Sequence, residues 1–203
     1  MSRILTLLNI VCLTLVFIGS AGAAPFDFNM GEDSWIDTSG TNDVLRMNAD
    51  VNPNLGDINY SLTDGESFTF DFATIGTTEG WINDDDVIPG NLTAHMEFDV
   101  PDVTHSVDGM SVGFSGYWHF VQGWALNWNP VTVDLAGQGQ YTIELSDVAY
   151  ASWWWQGPDG SANIEATVTY DTVPVPEPAT MLLLGVGLIG FAFVTRRGMA
   201  FRQ

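Results

Sequence analysis

Between residues 57 and 170 apolar and polar residues alternate with a period of two, and no sustained period near 3.6 occurs. Phe68, Phe70 and Phe72 alternate with Thr69 and Asp71. Ala94, Met96, Phe98 and Val100 alternate with His95, Glu97 and Asp99. Tyr141, Ile143 and Leu145 repeat the pattern, as do Ile164, Ala166, Val168 and Tyr170. Each set puts apolar side chains on one face of a strand and polar ones on the other, as a sheet resting on a core requires. Turn residues punctuate the runs: Asp64-Gly65, Pro101, 136–139 (A-G-Q-G) and 157–160 (G-P-D-G). The pattern predicts strands over 57–62, 67–75, 92–100, 111–120, 121–128, 131–135, 140–147, 150–156 and 163–170. Residues 24–54, rich in Asp, Asn, Ser and Gly, are expected to be irregular, with short edge strands at 34–36 and 44–47. The expected architecture is all-β, an antiparallel β-sandwich of jelly-roll type.

The two ends of the chain break this pattern. Arg3 precedes an apolar run from Ile4 to Ile18, and Ala21-Gly22-Ala23 presents small residues where a signal peptidase reads. Residues 1–23 therefore read as a signal peptide cut after Ala23. At the other end, Pro174, Pro176 and Pro178 surround Glu177, an apolar run covers 179–194, and Arg196-Arg197 follows. Prolines lack a backbone donor and fix φ, which keeps a linker extended and stops any preceding strand. An apolar run of this length rises about 24 Å as a helix, slightly less than the roughly 30 Å hydrocarbon core. Residues 179–195 are expected to form a short transmembrane helix with the arginine pair on the cytoplasmic side, and 198–203 a cytoplasmic tail.

Val175, Pro176, Glu177, Pro178, the apolar run with Gly185, Gly187 and Gly190, and the closing Arg196 and Arg197 resemble a PEP-CTERM sorting signal. That resemblance covers the tail alone. It implies export across the inner membrane of a Gram-negative bacterium, transient anchoring there, and recognition by an exosortase. It also implies removal of the tail and delivery to the cell surface or the exopolysaccharide matrix.

Charge narrows the partners of the region 24–173. It holds 24 of the 25 acidic residues, Arg46 is its sole arginine, and the chain has no lysine, giving the region a net charge near −23 with the histidines neutral. Phosphate backbones would be repelled, which excludes nucleic acid as a partner. Cys12, the chain's one cysteine, lies in the signal, so the exported part has no disulfide and no thiol nucleophile.

Three constellations are candidates for chemistry. Asn83-Asp84-Asp85-Asp86 packs oxygen ligands into one loop, as calcium requires, and Asp84, Asp85 and Asp86 are the candidate calcium ligands. The loop lacks the spacing of a helix–loop–helix calcium site and reads first as a solvated acidic loop. His95, Glu97 and Asp99 project from one strand face, but successive side chains stand about 7 Å apart, too widely spread for one ion without help from another strand. Trp118, Trp124, Trp128, Trp153, Trp154 and Trp155 cluster late in the domain. Core packing is their ordinary use. The alternative is a glycan-binding platform using Trp118, Trp153 and Trp155. No G-x-S-x-G, H-E-x-x-H or phosphate-binding glycine loop is present. The expectation is a non-enzymatic exported protein, structural or adhesive within exopolysaccharide or biofilm, with a glycan-binding module as the second reading and a secreted polysaccharide hydrolase as the third.

Overall fold

The computed structural model describes residues 25–116, 120–136, 139–172 and 185–187. The signal peptide, Trp118, the sorting residues 175–178 and 196–197 and most of the expected transmembrane segment lie outside the described residues. Among the described residues no helix is long and apolar enough to cross a membrane. Residues 24–173 form one compact unit.

That unit is all-β, with twelve strands among the described residues: β1 Phe26–Met30, β2 Trp35–Asp37, β3 Met47–Val51, β4 Asn59–Leu62, β5 Glu66–Thr77, β6 Gly90–Val100, β7 Val103–Gly116, β8 Val121–Trp128, β9 Val131–Asp134, β10 Gln140–Leu145, β11 Val148–Trp153 and β12 Ser161–Asp171. They form two antiparallel sheets. A seven-stranded sheet runs β11-β8-β7-β6-β1-β4, with β2 also paired to β6, and a five-stranded sheet runs β3-β5-β12-β10-β9. Strands β6, β7 and β8 follow one another as a meander within one sheet, whereas the two Greek keys of a jelly roll pass successive strands between sheets.

Residues 24–54 are more ordered than their composition suggests. Phe26, Phe28 and Met30 alternate with Asp27 and Asn29 to make β1, an interior strand between β6 and β4. Its short length and its neighbouring Glu and Asp residues hid that alternation. β3 begins at Met47, where the expected edge strand 44–47 ends, because a 3-10 turn at Ser39–Thr41 occupies the preceding chain and Thr41 Oγ1 accepts from Met47 N (3.1 Å). β7 extends back to Val103, well beyond the expected start at 111.

The inward faces meet in one core. Phe72, Ala94, Met96, Phe98, Val107, Trp124, Leu126, Tyr141, Ile143, Ile164, Ala166 and Val168 are fully buried. Val100, expected on the buried face of β6, is exposed, because the strand runs past the core edge there. Phe28 of the larger sheet meets Tyr141 of the smaller one edge-on at 5.1 Å and Phe98 at 6.2 Å. Edge-to-face aromatic pairs add about 1 kcal/mol to the area they bury.

Two polar links cross the core. Trp124 Nε1 donates to Gly160 O (3.3 Å), tying β8 to the turn before β12. His105 Nε2 hydrogen-bonds the Tyr141 hydroxyl, joining β7 to β10. Burial lowers the His105 pKa below its ordinary 6.5 and pushes Tyr141 up to about 12. Each shift sets a stability window. His105 takes a proton more readily when unfolded, so its contribution is present above about pH 6.5 and is lost as pH falls through its folded pKa. Tyr141 loses its proton less readily when folded, so its contribution is present below pH 10 and is lost as pH rises through about 12. Thermal melts between pH 5.5 and 7.5 should therefore fall more steeply with acidity in the native protein than in a His105→Gln variant. Equal slopes would show that His105 does not carry the effect.

Candidate functional site

The sequence candidates separate into a dispersed set and a gathered one. In the acidic loop, Asp86 is 1 % exposed and turned inward, where its Oδ2 accepts from Asn83 N (2.8 Å) and its carbonyl from Gly113 N (2.8 Å). Asn83 Oδ1 accepts from Asp85 N (3.0 Å), so the loop caps its own backbone. Ile82 anchors it in the core, and its N–H donates to Gln122 Oε1 (3.1 Å). Asp84 and Asp85 point to solvent while Asp86 serves the fold. The structure thus does not converge the three candidate calcium ligands, and among the described residues no group of three or more His, Cys, Asp or Glu is placed to hold a metal ion.

The β6 constellation is likewise dispersed. His95 stacks on Trp35 at 4.3 Å and 19°, and its Nδ1 lies 3.1 Å from Ser106 Oγ. Glu97 Oε2 accepts from Asp33 N (2.9 Å). His95 is engaged locally with β2 and β7 and Glu97 with the β1–β2 connection, while Asp99 is exposed, so alternation on one strand did not make a site.

The aromatic set divides by position. Trp124 and Trp128 face inward and are buried, whereas Trp153, Trp154 and Trp155 are 52 %, 46 % and 63 % exposed. The alternation of β11 ends at Trp153, and a turn over 154–156 carries the next two indoles out of the sheet. The turn is held by its backbone: Trp154 N donates to Phe120 O (3.0 Å), Gln156 N to Trp153 O (2.8 Å), and Ser152 Oγ to Gly157 O. Gln122 Nε2 donates to Trp154 O (3.4 Å). The result is a parallel pair, Trp153 and Trp155, with ring centroids 5.4 Å apart and planes 6° apart, and Trp154 edge-on to Trp155 at 84°.

The adjoining sheet surface is apolar and neutral. Phe114, Val121, Gly123, Ala151 and Trp153 lie on the outward face of β7, β8 and β11 in matching registers, and Phe114 and Phe120 are exposed. No residue of 110–116, 121–128 or 148–153 is charged. Gly123 sets the floor of this surface: a Cβ there would lie 2.0 Å from Tyr150 O and 2.8 Å from Phe114 Cζ. Sequence reasoning named Trp153 and Trp155 but missed Phe114, Phe120 and Gly123. The missing signal was the charge-free stretch itself, conspicuous in so acidic a chain.

A different hollow, about 380 Å³ and open, lies on the smaller sheet and is lined by Asp50, Asn52, Asp71, Thr74 and Asn163. Both of its carboxylates are exposed.

Gly123→Ala should destabilise the fold by about 1–3 kcal/mol, the usual cost of forcing a methyl into filled space. Urea unfolding followed by tryptophan fluorescence would read it, and an unchanged midpoint would contradict the close approach of β11 to β8.

No curated protein and no solved structure matches this chain. Residues 174–197 match the PEP-CTERM protein-sorting motif, and the segment covers the candidate sorting residues Val175, Pro176, Glu177, Pro178, Arg196 and Arg197. The chain thus carries a PEP-CTERM sorting signal at its C-terminal end, which implies export, processing by an exosortase and sorting to the cell surface.

Proposed function

We propose that the exported region is a non-enzymatic structural or adhesive protein of the cell surface or extracellular matrix, and that it holds polysaccharide on Trp153 and Trp155. The carrying observation is the parallel, solvent-facing indole pair on a hydrogen-bonded turn. Sugar rings present apolar C–H faces that pack on indole, and a site whose rotamers are already held loses little entropy on binding. The neutral surface around the pair favours an uncharged polysaccharide, because an anionic one would meet the acidic remainder of the domain.

The non-enzymatic reading draws on the open hollow of the smaller sheet. Glycoside hydrolysis needs one carboxylic acid kept protonated by an apolar setting. Exposed Asp50 and Asp71 lack such a setting. In the same reading, a signal peptidase removes residues 1–23, and residues 179–195 hold the chain in the inner membrane until the exosortase acts.

Calorimetry of the exported protein against neutral matrix polysaccharide should record binding, with tryptophan fluorescence responding. Trp153→Ala and Trp155→Ala should each weaken it about tenfold, equivalent to roughly 1.4 kcal/mol. Absence of heat and of a fluorescence change would end the glycan reading. Mass spectrometry of surface protein should find the tail removed near Pro176-Glu177-Pro178, and Glu177→Ala should leave it on. An intact Arg202-Gln203 end on native surface protein would overturn processing.

A further inference from the structure

The chain leaves the folded region through a grip on both flanks of its last strand. Asp64 lies in the turn between β4 and β5 and holds Thr172 with one carboxylate oxygen. Thr172 N donates to Asp64 Oδ1 (2.7 Å), and Thr172 Oγ1 donates to the same atom (2.8 Å). The backbone of the same turn holds the strand two residues earlier, where Gly65 N donates to Tyr170 O (2.8 Å). The bonds from Thr172 keep the Asp64 carboxyl below the usual carboxylate range, because they favour its charged form. On the other flank, a Cβ at Gly139 would stand 2.5 Å from Asp171 O and 3.1 Å from Thr172 Cα. The ladders of β12 end earlier, with Asp171 opposite Gln140 and Tyr170 opposite Glu66. Thr172 is therefore fastened by a side chain, beyond the last ladder pair.

This fastening sets how much free chain the sorting signal has. Residues 173–175 alone separate Thr172 from Pro176. Even fully extended, the four steps from Thr172 to Pro176 span at most about 14 Å. Proteins that recognise a peptide commonly take it as an extended segment, and a cleft that works near Pro176 must also accommodate the residues before it. Those residues lead straight into the grip. The surface around the exit adds a second obstacle. Asp64, Glu66 and Asp134 are exposed, and Gln140 pairs with Asp171 on one side and Asp134 on the other. An anionic membrane surface repels these acids, so a short tether to it is unfavourable.

We propose that Asp64 is a positioning residue for tail removal: its bonds to Thr172 shorten the tether, and the exosortase acts on the chain when Thr172 has let go. The inference rests on processing at the sorting motif. Exposed hydrogen bonds at the end of a strand open without global unfolding. The rate of removal then follows the open fraction, and whatever raises that fraction raises the rate.

The test follows the full chain in cells that carry an exosortase, by pulse-chase with mass spectrometry of the product. Asp64→Ala should speed tail removal at least about threefold, the change in open population that losing such hydrogen bonds produces. Asp64→Asn keeps a carbonyl oxygen to accept from Thr172 and should hold the rate near native. A Gly-Ser-Gly-Ser insertion between Thr172 and Val173 should speed removal as much, and Asp64→Ala should then add nothing. Leu92→Ala empties part of the core under β6 and leaves the grip alone, so it should lower the melting temperature without speeding removal. The proposal is overturned by an Asp64→Ala chain processed no faster than native, by an Asp64→Asn chain as fast as Asp64→Ala, or by an insertion without effect. Full additivity of insertion and Asp64→Ala, or equal speeding by Leu92→Ala, overturns it as well. A native chain that keeps its tail overturns processing itself and this inference with it, whereas a processed native chain with equal rates overturns this inference alone.

Discussion

The contact of the two inward sheet faces is what the rest of the molecule depends on. A region with 24 acids, one arginine and no cysteine has no cross-link and almost no ion pairing to oppose its own repulsion. The ion pair among the described residues, Arg46 with Glu79 at 3.8 Å, is largely solvent-exposed on the arginine side and contributes little. Apolar burial must carry the fold, and the core is accordingly aromatic, with Phe28, Phe72, Phe98, Trp124 and Tyr141 fully enclosed. Aromatic side chains bury the most area per residue, which suits a core that must hold the fold without cross-links. Two of the polar groups that enter that core link one sheet to the other, through Trp124 to Gly160 and through His105 to Tyr141. Such links add direction to a contact that burial alone leaves free to slide.

Much of this was legible because period two is a local signal. Phe68 to Phe72, Ala94 to Phe98, Tyr141 to Leu145 and Ile164 to Tyr170 all bury the faces that alternation assigns them. β1 was less legible, since five residues give alternation little room and its interior position comes from pairing with β4 and β6, distant in sequence. The order of strands was not legible at all. A meander through β6, β7 and β8 and an interlocked jelly roll demand the same alternation from each strand, and only the long-range register distinguishes them.

The candidate site was half legible for a related reason. A tryptophan in a strand has two possible destinations, and periodicity cannot say which face is wet when both faces are apolar. Around β8 they are: Trp124 and Leu126 face the core while Val121, Gly123 and Ala125 face outward. The acidic loop, read first as solvated, shows the same limit for carboxylates. Asp84 to Asp86 look like ligands in a row, yet one of them is spent on capping its own loop. Proximity in sequence supplies carboxylates, but ion binding needs their convergence, which the backbone here does not give.

Acidity and neutrality are segregated on the surface of the exported region. While residues 174–197 direct the sorting, the dense negative surface of the folded region repels anionic polymers. At the uncharged patch close approach costs no such repulsion. Its placement on β7, β8 and β11 is not incidental. Gly123 lets β11 draw close to β8, Ser152 and Gln156 hold the turn that follows, and the turn presents Trp153 and Trp155 in parallel. The edge of β11 and the indole pair thus share one support, so whatever shifts the glycine-floored approach of these strands shifts both.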